Sequence, residues 1–173
     1  EDELRTSKNM LTQVIENIPF RIFWKDQHSV YRGCNTRHAI GNGLASADEI
    51  IGKTDYDFLP ERAAEWEADD QKIMASGQPK LNVEELIVDV DGSSHWLRSN
   101  KVPMRDKNGE TSGVLIALED ITERKRLEEA FRINEEHLRL ITDNITDMIL
   151  QSDEIGRVVC ASPSFHAVLG YEP

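Results

Sequence analysis

The chain has 173 residues, a formal net charge of −12, and 39% hydrophobic and 30% charged residues, the proportions of an ordinary globular protein. Its 20 Lys and Arg are outnumbered by 32 Asp and Glu and form no basic stripe. That argues against nucleic acid and against an anionic membrane surface as partners, and no apolar run approaches the roughly 20 residues of a membrane span.

Residues 4–18 read as a helix, with Leu4, Leu11, Val14, Ile15 and Ile18 at helical spacing and Pro19 closing the run. Phe20 to Trp24 is β-rich, residues 26–29 are turn-like, and Val30-Tyr31 restarts a strand, which makes a hairpin. Asn35 to Ile40 reads as a short helix broken by the glycines at 41 and 43. Ser46-Ala-Asp-Glu49 fits a capping box for a second short helix that Gly52 stops. Pro60, at a first-turn position where its missing N–H costs nothing, opens a longer helix ending near Gly77. Three strands follow, at 81–90, 95–104 and 113–119, joined by turns at Asp91-Gly92 and Asn108-Gly109. Strands grouped apart from helices indicate an α+β fold with an antiparallel sheet.

Asp120-Ile-Thr-Glu123 fits another capping box, with Asp120 as N-cap. The polar helix after it carries a 3-4 pattern. Arg124, Phe131, Leu138 and Ile145 share one heptad position, and Leu127, Asn134, Ile141 and Met148 another. Interrupted by Arg124 and Asn134, the pattern suits a marginal coiled coil.

The chain also repeats itself. Leu11 to Ile18 aligns with Leu138 to Ile145, Ile22-Phe23 with Ile149-Leu150, Asp26 with Asp153, Val30-Tyr31 with Val158-Val159, and His38-Ala39 with His166-Ala167. A complete unit and a linker helix are followed by the opening of a second copy. The reading is therefore an N-terminal helix over 1–18, a sensor domain over 19–121, a linker helix over 122–143 and a truncated second domain over 144–173. The chain opens at Glu1, not Met, and reads as an excised fragment, so its parent is free to carry a membrane anchor.

With this element order the sequence resembles the PAS domain family. The motifs are Asn35 after the second strand, Glu49-Ile-Ile-Gly-Lys53, Asp55-Tyr-Asp-Phe-Leu-Pro60, Asp91-Gly92 before Trp96, Pro103, Asn108-Gly109 and the output signature Asp120-Ile-Thr-Glu-Arg-Lys125. The resemblance covers residues 8–125 and recurs from 138. It implies a five-stranded antiparallel sheet flanked by short helices, with the strands at 20–25 and 114–119 as neighbours inside the sheet, an N-terminal helix and a C-terminal signalling helix. It also implies a sensory module of a signal-transduction protein, a histidine kinase of a two-component system or a diguanylate cyclase. The module senses a small molecule and passes the result through that helix. The alternative is a ligand-free dimerisation and relay module. The implied partners are a second copy, a homodimer through the N- and C-terminal helices, and an effector domain in the same polypeptide; the acidic charge balance adds the expectation of no nucleic acid and no membrane contact.

No nucleophile motif, P-loop or paired metal site is present, so neither catalytic nor metal residues are assigned and the fragment reads as non-catalytic. The cysteines, Cys34 and Cys160, form no CxxC and suit a reducing, cytoplasmic setting. Flavin-binding relatives use a cysteine after the glycine equivalent to Gly52, where this chain has Lys53-Thr54-Asp55; haem-binding relatives use a histidine on the long helix, which has none over 60–76. Only His38 is positioned to offer iron an imidazole. No cofactor is therefore expected. The acidic groups Asp55/Asp57 and Glu65/Glu67/Asp69/Asp70 read as a cap and a solvated helix face.

What remains is a pocket for an unknown small molecule, covered by the helices of 34–76. Its candidate lining is Trp24, Tyr31, His38, Tyr56, Phe58, Trp66, Trp96, Arg98 and Asn100. Trp96, Arg98 and Asn100 share one strand face, and an inward Arg98 would select an anion. The relay residues are Asp120, Ile121, Thr122 and Glu123.

Overall fold

The computed structural model describes residues 2–89, 91–144 and 150–161. The chain forms two compact units, Glu1–Thr122 and Glu123–Pro173. The first contains α1 (Asp2–Asn17), β1 (Arg21–Asp26), β2 (Tyr31–Cys34), α2 (Thr36–Gly41), 3-10 turns at Ala47–Ile50 and Asp55–Asp57, α3 (Pro60–Ser76), β3 (Lys80–Val88), β4 (Ser94–Arg105) and β5 (Thr111–Asp120). Helix α4 (Thr122–Asn144) begins at the division, and the second unit adds the hairpin β6 (Leu150–Ser152) and β7 (Val158–Ala161). The heptad positions Ile145 and Met148, and the repeat positions Ile149, His166 and Ala167, lie outside the described residues.

The sheet order is β2-β1-β5-β4-β3, and every pair is antiparallel. The α+β expectation therefore holds, including the central pairing of β1 with β5 from Arg21↔Leu118 to Asp26↔Gly113. One face of the sheet packs on α2 and α3 around Phe23, Tyr31, Ile50, Ile73, Met74, Val114 and Ile116.

Asn35 ties the N-terminal half together. Fully buried, it accepts hydrogen bonds from the Ile22 and His38 N–H groups through Oδ1 and donates through Nδ2 to the Ile15 and Phe20 carbonyls. One amide thereby caps α2 and fastens the end of α1 to β1. Pro60 opens α3 as expected, and Gly77 ends it in the left-handed conformation, φ 65°.

The capping boxes fall elsewhere than the sequence suggests. The Ser46 side chain caps no backbone N–H, and its Oγ reaches only Glu49 Oε1 at 3.4 Å. The box forms instead at Thr54–Asp57, where Asp57 Oδ2 accepts from the Thr54 N–H at 2.7 Å. Asp120 Oδ1 accepts from the Thr122 N–H two residues on, at 2.9 Å, in place of the reciprocal box expected at the start of α4. Along α4, Leu127, Phe131, Leu138 and Ile141 are exposed.

The β1–β5 seam depends on close approach at Gly113, where a Cβ would stand 2.1 Å from the Lys25 carbonyl oxygen. Gly113→Ala should therefore lower stability by about 1–3 kcal/mol through forced backbone shifts, read as a reduced urea midpoint. An unchanged midpoint would show that the seam yields freely.

Candidate functional site

Between the sheet and α2, the 55–57 turn and α3 lies a cavity of about 70 Å³, room for a few waters or a small polar molecule. Its position follows from strand alternation. Along β4, Leu97, Ser99 and Lys101 are buried and line it, as do Phe23 and Lys25 on β1 and Ile116 and Leu118 on β5.

One end of the cavity is built from charge. Lys25 Nζ stands 2.5 Å from Asp55 Oδ2 and 2.9 Å from Asp70 Oδ2. Lys101 Nζ reaches Asp70 Oδ1 at 2.7 Å and Asp69 Oδ2 at 3.0 Å. The Tyr31 hydroxyl donates to Asp55 Oδ1 at 2.7 Å. Asp70 is fully buried and Lys25 is 2% exposed, so each charge rests on the others. Burial pushes the Tyr31 hydroxyl well above its ordinary value, and Asp55 pushes it the same way. Burial lowers the Lys101 ammonium, but Asp70 and Asp69 outweigh it and hold it above the usual lysine range.

The other end carries His38 and Arg21. The His38 ring stacks on Phe23, centroids 3.9 Å apart. Burial first, then the positive charges of Arg21 and Lys25, pulls its imidazole down to about 3, so it is neutral. Asn42 Nδ2 approaches His38 Nε2 at 3.1 Å and donates to the His38 carbonyl at 3.0 Å. His38 Nδ1 is the one buried side-chain nitrogen or oxygen among the described residues that has no hydrogen-bond partner. Arg21 grips Asp89 through two bonds, at 2.8 and 2.7 Å.

A polar chain leads from Arg21 to the start of α4. His95 Nε2 lies 3.7 Å from Asp89 Oδ2, and His95 Nδ1 lies 3.0 Å from Asp120 Oδ2. Asp120 holds the Thr122 N–H, the Trp96 N–H donates to Thr122 Oγ1 at 2.9 Å, and the Ile121 N–H donates to the Trp96 carbonyl at 2.8 Å. Burial raises the Asp120 carboxyl, but the bonds from Thr122 and His95 outweigh it and hold it below the usual range.

Of the residues nominated from sequence, Tyr31, His38, Phe58 and Trp66 meet in the cavity. Five do not. The Trp24 ring lies over Gly33 on the opposite sheet face, and Tyr56 is 51% exposed with its hydroxyl toward Glu67. Trp96, Arg98 and Asn100 share a face as expected, but it is the face away from the cavity. Arg98 Nε donates to Glu119 at 2.9 Å, and Asn100 Oδ1 accepts from the Asn82 N–H. The anion-selecting role of Arg98 falls with this.

The acidic residues need the converse correction. Asp57 is a cap, but Asp55 and Asp70 are buried partners of lysine. A signal existed for Asp70: Ala63, Asp70, Ile73 and Met74 are the buried residues of α3, so it occupies a slot in the buried stripe. Lys25 and Lys101 gave a similar signal, since each alternates in step with apolar or small neighbours.

A family model described as the PAS fold matches residues 15–126. The chain belongs to the PAS-fold family. The uncharacterized protein y4lL of Sinorhizobium fredii is 31% identical over 164 residues, covering 92% of this chain and 19% of that protein. The aerobic respiration control sensor protein ArcB of Escherichia coli is 26% identical over 122 residues, covering 70% of this chain and 16% of ArcB. The chain thus spans less than a fifth of the curated relatives it matches. Two VqmA structures are each 25% identical and each cover 65% of this chain. VqmA bound to DPO has a TM-score of 0.60 with 57% of that chain covered, and the Vibrio cholerae VqmA–ligand–DNA complex has 0.61 with 50% covered.

The VqmA likeness corrects the exclusion of nucleic acid partners. A net charge of −12 describes this chain alone, whereas half of the VqmA chain in the DNA complex lies beyond the matched region. Acidity of a PAS unit therefore does not decide whether its protein meets DNA.

No cluster of three or more His, Cys, Asp or Glu that could hold a metal occurs among the described residues, and no helix among them is long and apolar enough to cross a membrane.

Two outcomes test the site. Asp70→Ala leaves two buried lysines short of their shared carboxylate and should cost about 3–5 kcal/mol, seen as a large loss in urea midpoint; a small loss would mean that the network is dispensable. Unfolded His38 takes up a proton below pH 6.5, whereas the folded ring resists until about 3. Stability should therefore fall as pH drops through that window, by at most about 1.4 kcal/mol per pH unit. The part of the slope that His38 contributes should be lost in His38→Phe. A slope unchanged in the variant would assign it to other groups.

Proposed function

We propose that this chain is the non-catalytic sensory module of a larger cytoplasmic signal-transduction protein, binding a small molecule in the cavity and reporting it at the start of α4. The carrying observation is the row of polar side chains Arg21, Asp89, His95, Asp120 and Thr122, which begins at the cavity wall and ends on the first residue of α4, hydrogen-bonded at every step but Asp89–His95, a 3.7 Å polar contact. A shift of Arg21 on ligand binding pulls on Asp89, and His95 carries that pull to the carboxylate holding the helix start. Asp120 also sits favourably at the positive end of the helix dipole. The exposed 3-4 stripe of α4 supports coiled-coil pairing as the next step of transmission.

The ArcB match supports a sensor-kinase parent, and the VqmA likeness supports a ligand-responsive, DNA-binding receptor as the second reading. A cavity of about 70 Å³ favours a cofactor-free sensor, being far smaller than haem or flavin. Within it the Nε2 of His38 is already taken by Asn42. The unpaired thiols of Cys34 and Cys160 suit a reducing compartment.

The relay is tested at its middle and its end. His95→Phe should leave small-molecule binding by the chain within about twofold while flattening the output response of the full-length protein. Asp120→Ala should lower stability by about 1 kcal/mol, far less than unfolds a domain, yet shift basal output several-fold. Wild-type output in both variants would remove the relay from this account.

A further inference from the structure

We infer that the cavity takes a small, uncharged, planar molecule that accepts a hydrogen bond from the Nδ1–H of His38. This rests on the cavity being the ligand site of the sensor, and it specifies what that ligand must be.

The tautomer follows from Asn42. Its Nδ2 donates to the His38 carbonyl, which fixes that atom as the amide nitrogen, and the same nitrogen lies 3.1 Å from His38 Nε2. Nε2 is therefore the acceptor, and the ring proton sits on Nδ1. That Nδ1–H belongs to a cavity-lining residue only 5% exposed and has no acceptor among the described residues. A buried donor left without a partner is costly, and an arriving acceptor recovers that cost. The ring does not relieve it by protonating, because burial holds the imidazole neutral down to about pH 3.

The ligand's lack of charge follows from the neighbours. Lys25 and Lys101 are taken up by Asp55, Asp69 and Asp70. Arg21 is held by Asp89, and Glu85 by Arg62. An anion or cation entering the cavity has to break one of these pairs or stay unpaired in a dry site. Planarity follows from the walls: Phe23 and His38 are already stacked, and Tyr31 and Phe58 meet edge to face with centroids 5.8 Å apart, surfaces that favour a flat ring.

The test uses the whole ¹⁵N-labelled chain at neutral pH and three planar probes: pyridine, a neutral acceptor; benzene, of the same size with no acceptor; and benzoate, a larger anion. The histidine ring-nitrogen spectrum should report His38 as the Nδ1–H tautomer, and pyridine should shift that resonance. Pyridine should bind about tenfold or more tightly than benzene, and benzoate should not bind. In His38→Phe, pyridine and benzene should become equal. Asn42→Asp keeps the imidazole but offers Nε2 an acceptor, so the proton moves to Nε2. The preference should then turn from pyridine to pyrrole, a donor of the same shape. Wild-type chain that binds benzene as well as pyridine, or prefers benzoate, overturns the inferred ligand class and leaves ligand sensing intact. Failure of all three probes to bind overturns the cavity as a ligand site as well.

Discussion

Four charged side chains that can be buried only as a set fix the geometry of the sensor unit. Lys25 comes from β1, Asp55 from a 3-10 turn, Asp70 from the middle of α3 and Lys101 from β4. Stripped of partners, any one of them would face a desolvation penalty that no packing contact offsets. Together they satisfy one another, and Tyr31 completes the valence of Asp55. Because the charge-assisted hydrogen bonds from Lys25 and Lys101 to Asp70 are directional where apolar contacts are not, they help set how α3 lies across the sheet. The space they leave beside His38 is the cavity.

The fold is legible in the sequence because its signals are local. Two Asx-Gly turns between alternating strands, a proline at the head of a helix and a glycine at its end each act over a few residues. The centre of the sheet, β1 beside β5, follows from the family pattern. The cavity is only half legible. Aromatic and histidine positions are natural candidates for the inside, and Tyr31, His38, Phe58 and Trp66 do line it. On β4 the alternation alone leads to the wrong parity. An arginine sharing a strand face with Trp96 suggests an inward cation, but the inward cation is Lys101, three positions on and of opposite phase to Arg98. Strand periodicity gives two faces and does not say which one meets the helices. That choice shows in the pairing of Lys101 with Asp70 across the cavity, a contact between residues 31 positions apart.

The same distinction separates the charge of a chain from the charge of a site. The acidic excess suggests a uniformly solvated surface, yet two of the aspartates lie at its core, neutralised by two lysines. By composition these four residues are polar surface. In the structure they replace a hydrophobic contact between helix and sheet. Composition likewise speaks only for the residues it counts, and the VqmA complex is an instance of a chain that resembles this one over half its length and meets DNA.

The strand order has a consequence for how the unit is made. β1 lies between β2 and β5, so the first strand to leave the ribosome finds one of its neighbours at once and the other only when the last strand appears. At translation speeds of about 5–20 residues per second, the nascent hairpin waits seconds with one row of N–H and C=O groups unpaired. An open edge of that kind invites the wrong strand. A second hairpin, β6–β7, follows on the same polypeptide, so a competing edge is synthesised soon after the first is covered. Closure of β5 onto β1 before that hairpin emerges is thus a kinetic requirement written into the topology. At Gly113 the absence of a side chain lets the two backbones meet without obstruction.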